Sequence, residues 1–240
     1  MKKAYLNWSS GKDASLALHQ LSKLGDFSVE KLVTTLNTDF NRISMHGVRK
    51  ELLQQQAENL QIPLHIIPLN GEVSLELYNE IMQKHTLKLK SEGFEHSIFG
   101  DIFLEDLKTY REKELEKIGI KSVFPLWKKD TRKLANEFID LGYKAIVVCT
   151  SAKQLNESFC GRVFDKNFLS DLPENVDPCG ENGEFHTFVF DGPLFKKPID
   201  FEIGEKVLRD FSSNKKEEND CFAEPQNWDH KFWFMDLIAR

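Results

Sequence analysis

Long hydrophobic runs are missing from this chain of 240 residues. No apolar stretch approaches the roughly 20 residues that a bilayer-crossing helix needs. Met1-Lys2-Lys3 is followed by an apolar run of strand length only, too short for a signal-peptide core, so a cytoplasmic protein without a membrane partner is expected. Basic clusters are lacking too. Lys and Arg do not gather beyond short pairs such as Lys128-Lys129, and the formal net charge is −6, so the sequence carries no electrostatic footprint for DNA or RNA. Cysteine is scarce: Cys149, Cys160, Cys179 and Cys221 form no C-x-x-C pair, which argues against a zinc knuckle or dithiol redox motif and for reduced structural thiols. Neither G-x-x-x-x-G-K-[ST] nor G-x-G-x-x-G occurs, which removes kinases, GTPases and dinucleotide enzymes built on those loops. There is no internal repeat and no low-complexity segment.

What is present is a globular composition, 40% hydrophobic with a mean hydropathy of −0.43, enough for a sizeable core. Short apolar runs alternate with longer helical patterns. AYLNW, VEKLVTTLN, IPLHIIPL, HSIFGDIF, KSVFPL and YKAIVVCT read as strands. SLALHQLSKLG, with Leu18, Leu21 and Leu24 along one stripe, VRKELLQQQAENL, LELYNEIMQKHTLKLK, EDLKTYREKELEKIG and TRKLANEFIDLG read as helices. This rhythm predicts an α/β fold, an open, mostly parallel sheet with helices on both faces. After Thr150 the composition turns rich in Asn, Asp, Pro and Gly, and EFHTFVFDGPLF then alternates like a half-buried strand. A boundary is therefore expected near residue 152, separating a nucleotide-binding unit (1–152) from a smaller α+β unit (153–240). KKEEND, residues 215 to 220, reads as a solvated loop, and the aromatic NWDHKFWFMDLIAR as a segment that docks onto the body or onto another copy of the chain.

The stretch SSGKDAS, residues 9 to 15, lies where the first strand hands over to the first helix. In an open α/β sheet ligands gather outside the carboxyl ends of the strands, where this loop sits. A small-residue loop entering a helix leaves unpaired N–H groups and the positive end of the helix dipole to bind phosphate. Gly11 allows close backbone approach, Ser9, Ser10 and Ser15 offer hydroxyls, and Lys12 offers charge, while Asp13 suits a helix cap or Mg²⁺. The same residues also describe an ordinary capped helix start.

SSGKDAS resembles the pyrophosphate loop S-G-G-x-D-S of the N-type ATP pyrophosphatases, with Ser10 in place of the second-position Gly and Ala14 in place of the final Ser. DPCGENGEFHTFVFDGPLF, residues 177 to 195, is similar to the G-E-[GN]-G-E-[FY]-x-[ET] signature of the diphthine-ammonia ligase-like branch of those proteins. QAENLQIPLHIIPL, FPLWKKD and LGYKAIVVCT follow the same family in order, so the resemblance covers residues 4 to 195. It implies an adenine nucleotide alpha hydrolase-like fold and an enzyme that uses ATP and Mg²⁺. Adenine would lie against the end of the second strand, Leu36-Asn37, and His46 and Arg49 of NRISMHGVRK would reach ATP phosphates. A helix-capping loop with an exposed His is the plainer reading of that segment.

GENGEFHT places Glu181, Glu184 and His186 within six residues, a cluster suited to an ammonium ion, a cationic group or a general base, or else a solvated turn opening a hairpin. Asp101, at the end of a strand in GDIFLEDLKTYRE, is placed to hold Mg²⁺ with Asp13 or to orient an acceptor; Glu105 and Asp106 are favourable first-turn charges. The resemblance thus implies an AMP-forming amide ligase that adenylates a carboxylate, releases pyrophosphate and passes the acyl group to ammonia or an amine, with Asp101, Glu181, Glu184 and His186 as catalytic candidates. Diphthine on elongation factor 2 is the known substrate of that family. The departures point to a bacterial branch, for which a different carboxylate is expected. Two other readings stay open: a non-catalytic adenine-nucleotide sensor, favoured by Ala14, and a tRNA-modifying pyrophosphatase, which wants paired cysteines and a basic surface.

Overall fold

The computed structural model describes residues 1–44, 46–71, 73–211 and 230–240. Its first half runs β1 (Lys2–Asn7), α1 (Lys12–Leu24), β2 (Phe27–Asn37), β3 (Arg42–Ile43), α2 (Lys50–Leu60), β4 (Leu64–Leu69), α3 (Leu75–Ser91), β5 (His96–Ile98), α4 (Glu105–Glu116) and β6 (Lys121–Val123). The second half contributes α5 (Thr131–Asp140), β7 (Lys144–Ser151), α6 (Lys166–Asp171), β8 (Phe185–Asp191), β9 (Phe201–Asp210) and β10 (Lys231–Ala239). Among the described residues no helix is long and apolar enough to cross a membrane. Cys221 and the 215–220 charge run lie outside the described residues.

The first sheet is parallel in the order β4-β2-β1-β5-β6, with the short β3 added antiparallel at the end of β2. Pro68 can sit in β4 because that strand pairs with β2 alone and needs no donor on its outer side. Strand alternation sends Ala4, Leu6 and Leu32 to one face, where α1 and α2 cover them through Leu18, Leu21, Leu52 and Leu53. Tyr5, Val33 and Ile67 point to the other face, against Leu89 of α3 and Leu115 of α4. Helices on both faces are thus as the sequence rhythm predicts. The stripe on α1 is shifted from expectation: Leu24, last in the helix before the left-handed Gly25, is 67% exposed, and Ala14 takes its place in the core.

YKAIVVCT does not extend the parallel sheet. β7 belongs to a second, antiparallel sheet ordered β8-β7-β10-β9, so the change of sheet falls between β6 and β7, ahead of residue 152. After its exposed first residue β7 is buried on both faces, and an uninterrupted apolar run carries no sign of which neighbours it will pair with. One face of this sheet meets the first half through Ile146, Val148, Phe188 and Leu237; the other packs Ala145, Val147, Phe185 and Val189 against α5, α6 and Phe164. The consequence for the site is direct. β8 is brought against the loop that follows β1.

Candidate active site

The chain leaves β1 toward β2 and β4 on one side and later fills the other side with β5 and β6, so the carboxyl ends of β1 and β5 border a topological switch point. Asn7 ties these ends together, its Nδ2 donating to Ser97 Oγ at 2.9 Å and to the Ile98 carbonyl at 2.8 Å. The SSGKDAS loop follows. Ser10 takes a left-handed φ of 70°, and its hydroxyl is buried without a hydrogen-bond partner. Gly11 is the N-cap of α1 and offers no side chain, so the cap comes from the second sheet: Thr187 Oγ1 of β8 accepts the Lys12 N–H at 3.1 Å. A Cβ on Gly11 would lie 3.2 Å from the Thr187 carbonyl oxygen and 3.3 Å from His46 Cε1, which is why glycine fits there.

Lys12 and Ser15 turn away from the role of anion donors. The Lys12 ammonium is buried, 2.8 Å from the Asp13 carboxylate, bonded to the Cys179 carbonyl and lying over the rings of Phe185 and Phe164 at 5.3 and 5.7 Å. Burial, the largest single influence, would lower its pKa; Asp13, Cys179 and Glu181 together outweigh it and the net shift is upward. Ser15 Oγ donates to the Gly11 carbonyl at 3.0 Å, the back-bonding a helical serine adopts when no other acceptor is closer.

Across the crevice three carboxylates converge. Gly100 lets β5 approach the head of α1: a Cβ there would sit 3.0 Å from the Ala14 nitrogen and from the Asp13 carbonyl carbon. Asp101 follows, with Arg111 Nη1 3.3 Å from its Oδ2. Glu181 Oε1 accepts the Ile102 N–H at 2.6 Å, which places it beside Asp101. Burial first, then the charges of Asp13 and Asp101, push Glu181 up to about 7 against the opposing Ile102 hydrogen bond. Burial likewise raises Asp101, with Arg111 acting against it.

Glu184 is not part of that cluster. It is 1% exposed, its Oε1 accepting from the Asp177 N–H and Asn182 Nδ2 at 3.0 Å and its Oε2 from the Asn182 N–H at 2.9 Å. A desolvated carboxylate is best satisfied by several donors, and the GENG turn supplies them. Asp177 Oδ1 braces the same turn through the N–H groups of Cys179 and Glu181. His186 departs too: its ring stacks on His46, centroids 4.4 Å apart and planes 25° apart, next to Gly11. Burial, then Lys12, push His186 down to about 4, and burial, then His186, hold His46 well below its ordinary value, so both are neutral at pH 7. His46 Nδ1 is buried and unpartnered. Arg49 is engaged by β10, donating to Asp236 through Nε at 3.0 Å and Nη2 at 2.6 Å. Leu36 and Asn37 end β2 on the same edge as the loop, Asn37 Oδ1 accepting from the N–H groups of Asp39 and Phe40.

Two family models match successive parts of the chain. The model of the diphthamide synthase N-terminal domain matches residues 1–122, and that of the diphthamide synthase C-terminal domain matches residues 130–216. The chain belongs to the diphthamide synthase family. Its relatives include the diphthine–ammonia ligase of Schizosaccharomyces pombe, 37% identical over 101 residues, 39% of this chain and 17% of the relative. The diphthine–ammonia ligase of Danio rerio is 28% identical over 162 residues, 64% of this chain and 60% of the relative. Each match thus spans less than two thirds of those ligases. A solved structure described as a predicted subunit of tRNA methyltransferase from Methanocaldococcus jannaschii aligns with a TM-score of 0.46 at 17% identity, covering 83% of this chain and 100% of that one.

Within this family member the fold joins Asp13, Asp101 and Glu181 on one side of the loop and His46 and His186 on the other. Three residues of the site went unread in the sequence. Thr187 lies at the last position of the GENGEFHT signature, a signal that was there to find. Gly100 and Gln56, whose amide donates to the Ser10 carbonyl of the loop, carried none: a glycine before an Asp that follows a strand and a Gln on a polar helix are ordinary.

Proposed function

We propose that the chain is an ATP-dependent, AMP-forming amide ligase working at the β1–β5 crevice. The observation that carries the reading is the placement of Asp101 and Glu181 directly across from the head of α1. A substrate carboxylate attacks the α-phosphorus of ATP, pyrophosphate departs toward the loop, and ammonia or an amine displaces AMP from the acyl adenylate. The N–H groups at the head of α1 and the unpartnered Ser10 hydroxyl would meet the charge on the departing pyrophosphate. Glu181, half ionised near neutral pH, would hold the incoming ammonium and take its proton as nitrogen attacks.

Mg²⁺ fits the same place. Asp101 Oδ2 is buried without a hydrogen bond, the Arg111 guanidinium standing 3.3 Å away as its ion-pair partner. Among the described residues no three His, Cys, Asp or Glu side chains form a metal cage. Asp13 and Asp101 would supply the two carboxylates that such an ion takes alongside phosphates and water. When bound, it would share the phosphate charge.

The sensor reading draws on Lys12 and Ser15, whose donors face inward. A thiolating role is the less supported: Cys149, Cys160 and Cys179 are buried, and burial pushes the Cys160 thiol up to about 12. Calorimetric titration with ATP and Mg²⁺, wild type beside Asp13→Ala, followed by pyrophosphate release with cell extract as the carboxylate source, tests the proposal. Binding lost in the variant and extract-dependent release are expected. Binding without release points to the sensor, and no binding by the wild type overturns nucleotide use altogether.

A further inference from the structure

We propose that Gln56 of α2 is a positioning residue for the phosphate loop, an inference that rests on the ligase reading above. Gln56 is 0% exposed, although it follows Gln54 and Gln55 on a helix whose polar residues otherwise largely face water. Its Oε1 accepts the Trp8 indole N–H at 2.7 Å, and its Nε2 donates to the carbonyls of Ser10 at 3.0 Å and Val189 at 2.7 Å. One side chain therefore joins the end of β1, the loop and β8. The Ser10 carbonyl also accepts the Val189 N–H at 3.0 Å, so two donors fix its direction.

That direction matters because a trans peptide points its C=O and its N–H to opposite sides. The N–H that shares a peptide plane with the Ser10 carbonyl is that of Gly11, at the head of α1. Holding the carbonyl toward α2 and β8 aims the Gly11 N–H the other way. The same bonds hold Ser10 at φ 70°, a conformation that costs a non-glycine residue about 1 kcal/mol and that a free loop would leave. Gln56 acts on the anion through the loop, without touching it.

The test is calorimetric binding of ATP, inorganic pyrophosphate and AMP, each with Mg²⁺, to wild type, Gln56→Met, Gln56→Asn, Ser10→Gly and Gln56→Met/Ser10→Gly, with a thermal melt of each. Met keeps the size and loses both donors; Asn keeps the amide but falls a methylene short, and gives the reading if Gln56→Met does not fold. ATP and pyrophosphate should weaken about tenfold or more in both single Gln56 variants while AMP changes less than about twofold. Ser10→Gly alone loses the Ser10 hydroxyl, so the double variant is compared with it; there Gln56→Met should cost less than it does beside Ser10, since glycine takes the left-handed conformation without strain. Equal weakening of AMP and ATP would mark a general scaffold role and overturn the inference, as would unchanged pyrophosphate affinity or an equal loss from Gln56→Met with and without Ser10→Gly. Unaltered variants beside a wild type that binds ATP would remove this inference alone; a wild type that binds no ATP removes the ligase reading and this one with it.

Discussion

Glu181 holds its place through one strong hydrogen bond from the Ile102 N–H, in a region already carrying the charges of Asp13 and Asp101. Its ionised form is the costly one in the folded protein. A carboxyl whose folded pKa is raised contributes stability that is present below its unfolded pKa and lost as pH rises through the folded value, here about 7. Glu181→Gln keeps the acceptor and removes the charge, so it should stabilise the protein by on the order of 1–3 kcal/mol at pH 8 and hardly at all at pH 4, read by urea unfolding at both pH values. The same variant should lose about 100-fold or more in amide-forming turnover while retaining ATP affinity. Wild-type kcat/KM should rise through pH 7, and a flat profile would remove Glu181 from the role of base. Glu184, by contrast, was legible in the sequence as a charged residue of the motif but not as a buried one. Spacing reports which residues are near one another along the chain, and the three donors that turn Glu184 inward are set by how the GENG turn closes.

The turn at residues 177–184 is the element that presents Glu181, and its shape depends on Gly180. That residue has φ 67°, and a Cβ on it would stand 2.7 Å from the Phe185 carbonyl oxygen and 2.9 Å from the Phe185 ring. Gly180→Ala combines left-handed strain with a backbone clash at the entry to β8, and should destabilise by about 2–4 kcal/mol. Thermal melting should show a Tm lower by on the order of 5–10 °C. Gly183, also left-handed at φ 84°, has open space where its Cβ would be, so Gly183→Ala should cost the smaller strain term alone. A pair of equal losses would show that the Phe185 contact is not what fixes the turn. Strands and helices of the first sheet were readable because their apolar periods match their geometry; β7 was not assignable to a sheet, since a strand buried on both faces has lost its alternation.

At the scale of the molecule, the two sheets are joined beside the site by Asp236 of β10, which accepts from Arg42 of β3 at 2.8 Å and bidentately from Arg49 at the head of α2. Burial alone would raise Asp236; the hydrogen bonds from Arg49 and Arg42 override it and hold the carboxyl down at about 2. Its contribution is present above the unfolded carboxylate pKa and is lost as pH falls from about 4 toward 2. Asp236→Asn should therefore cost about 1–2 kcal/mol at pH 7 and progressively less below pH 4, measured by denaturant unfolding across that range. A loss that did not shrink at low pH would assign Asp236 a packing role instead. By itself the sequence determined the parallel α/β half, the SSGKDAS loop after β1 and the two family motifs, because each is written in local periods and contiguous residues. Only the tertiary structure decided that Lys12 faces inward, that Thr187 caps α1, that Gln56 braces Ser10 and that Glu181 joins Asp101 while Glu184 and His186 part from it. Those outcomes depend on which buried donor meets which acceptor once β8 docks on the loop, and partners far apart in the chain leave no trace in local spacing.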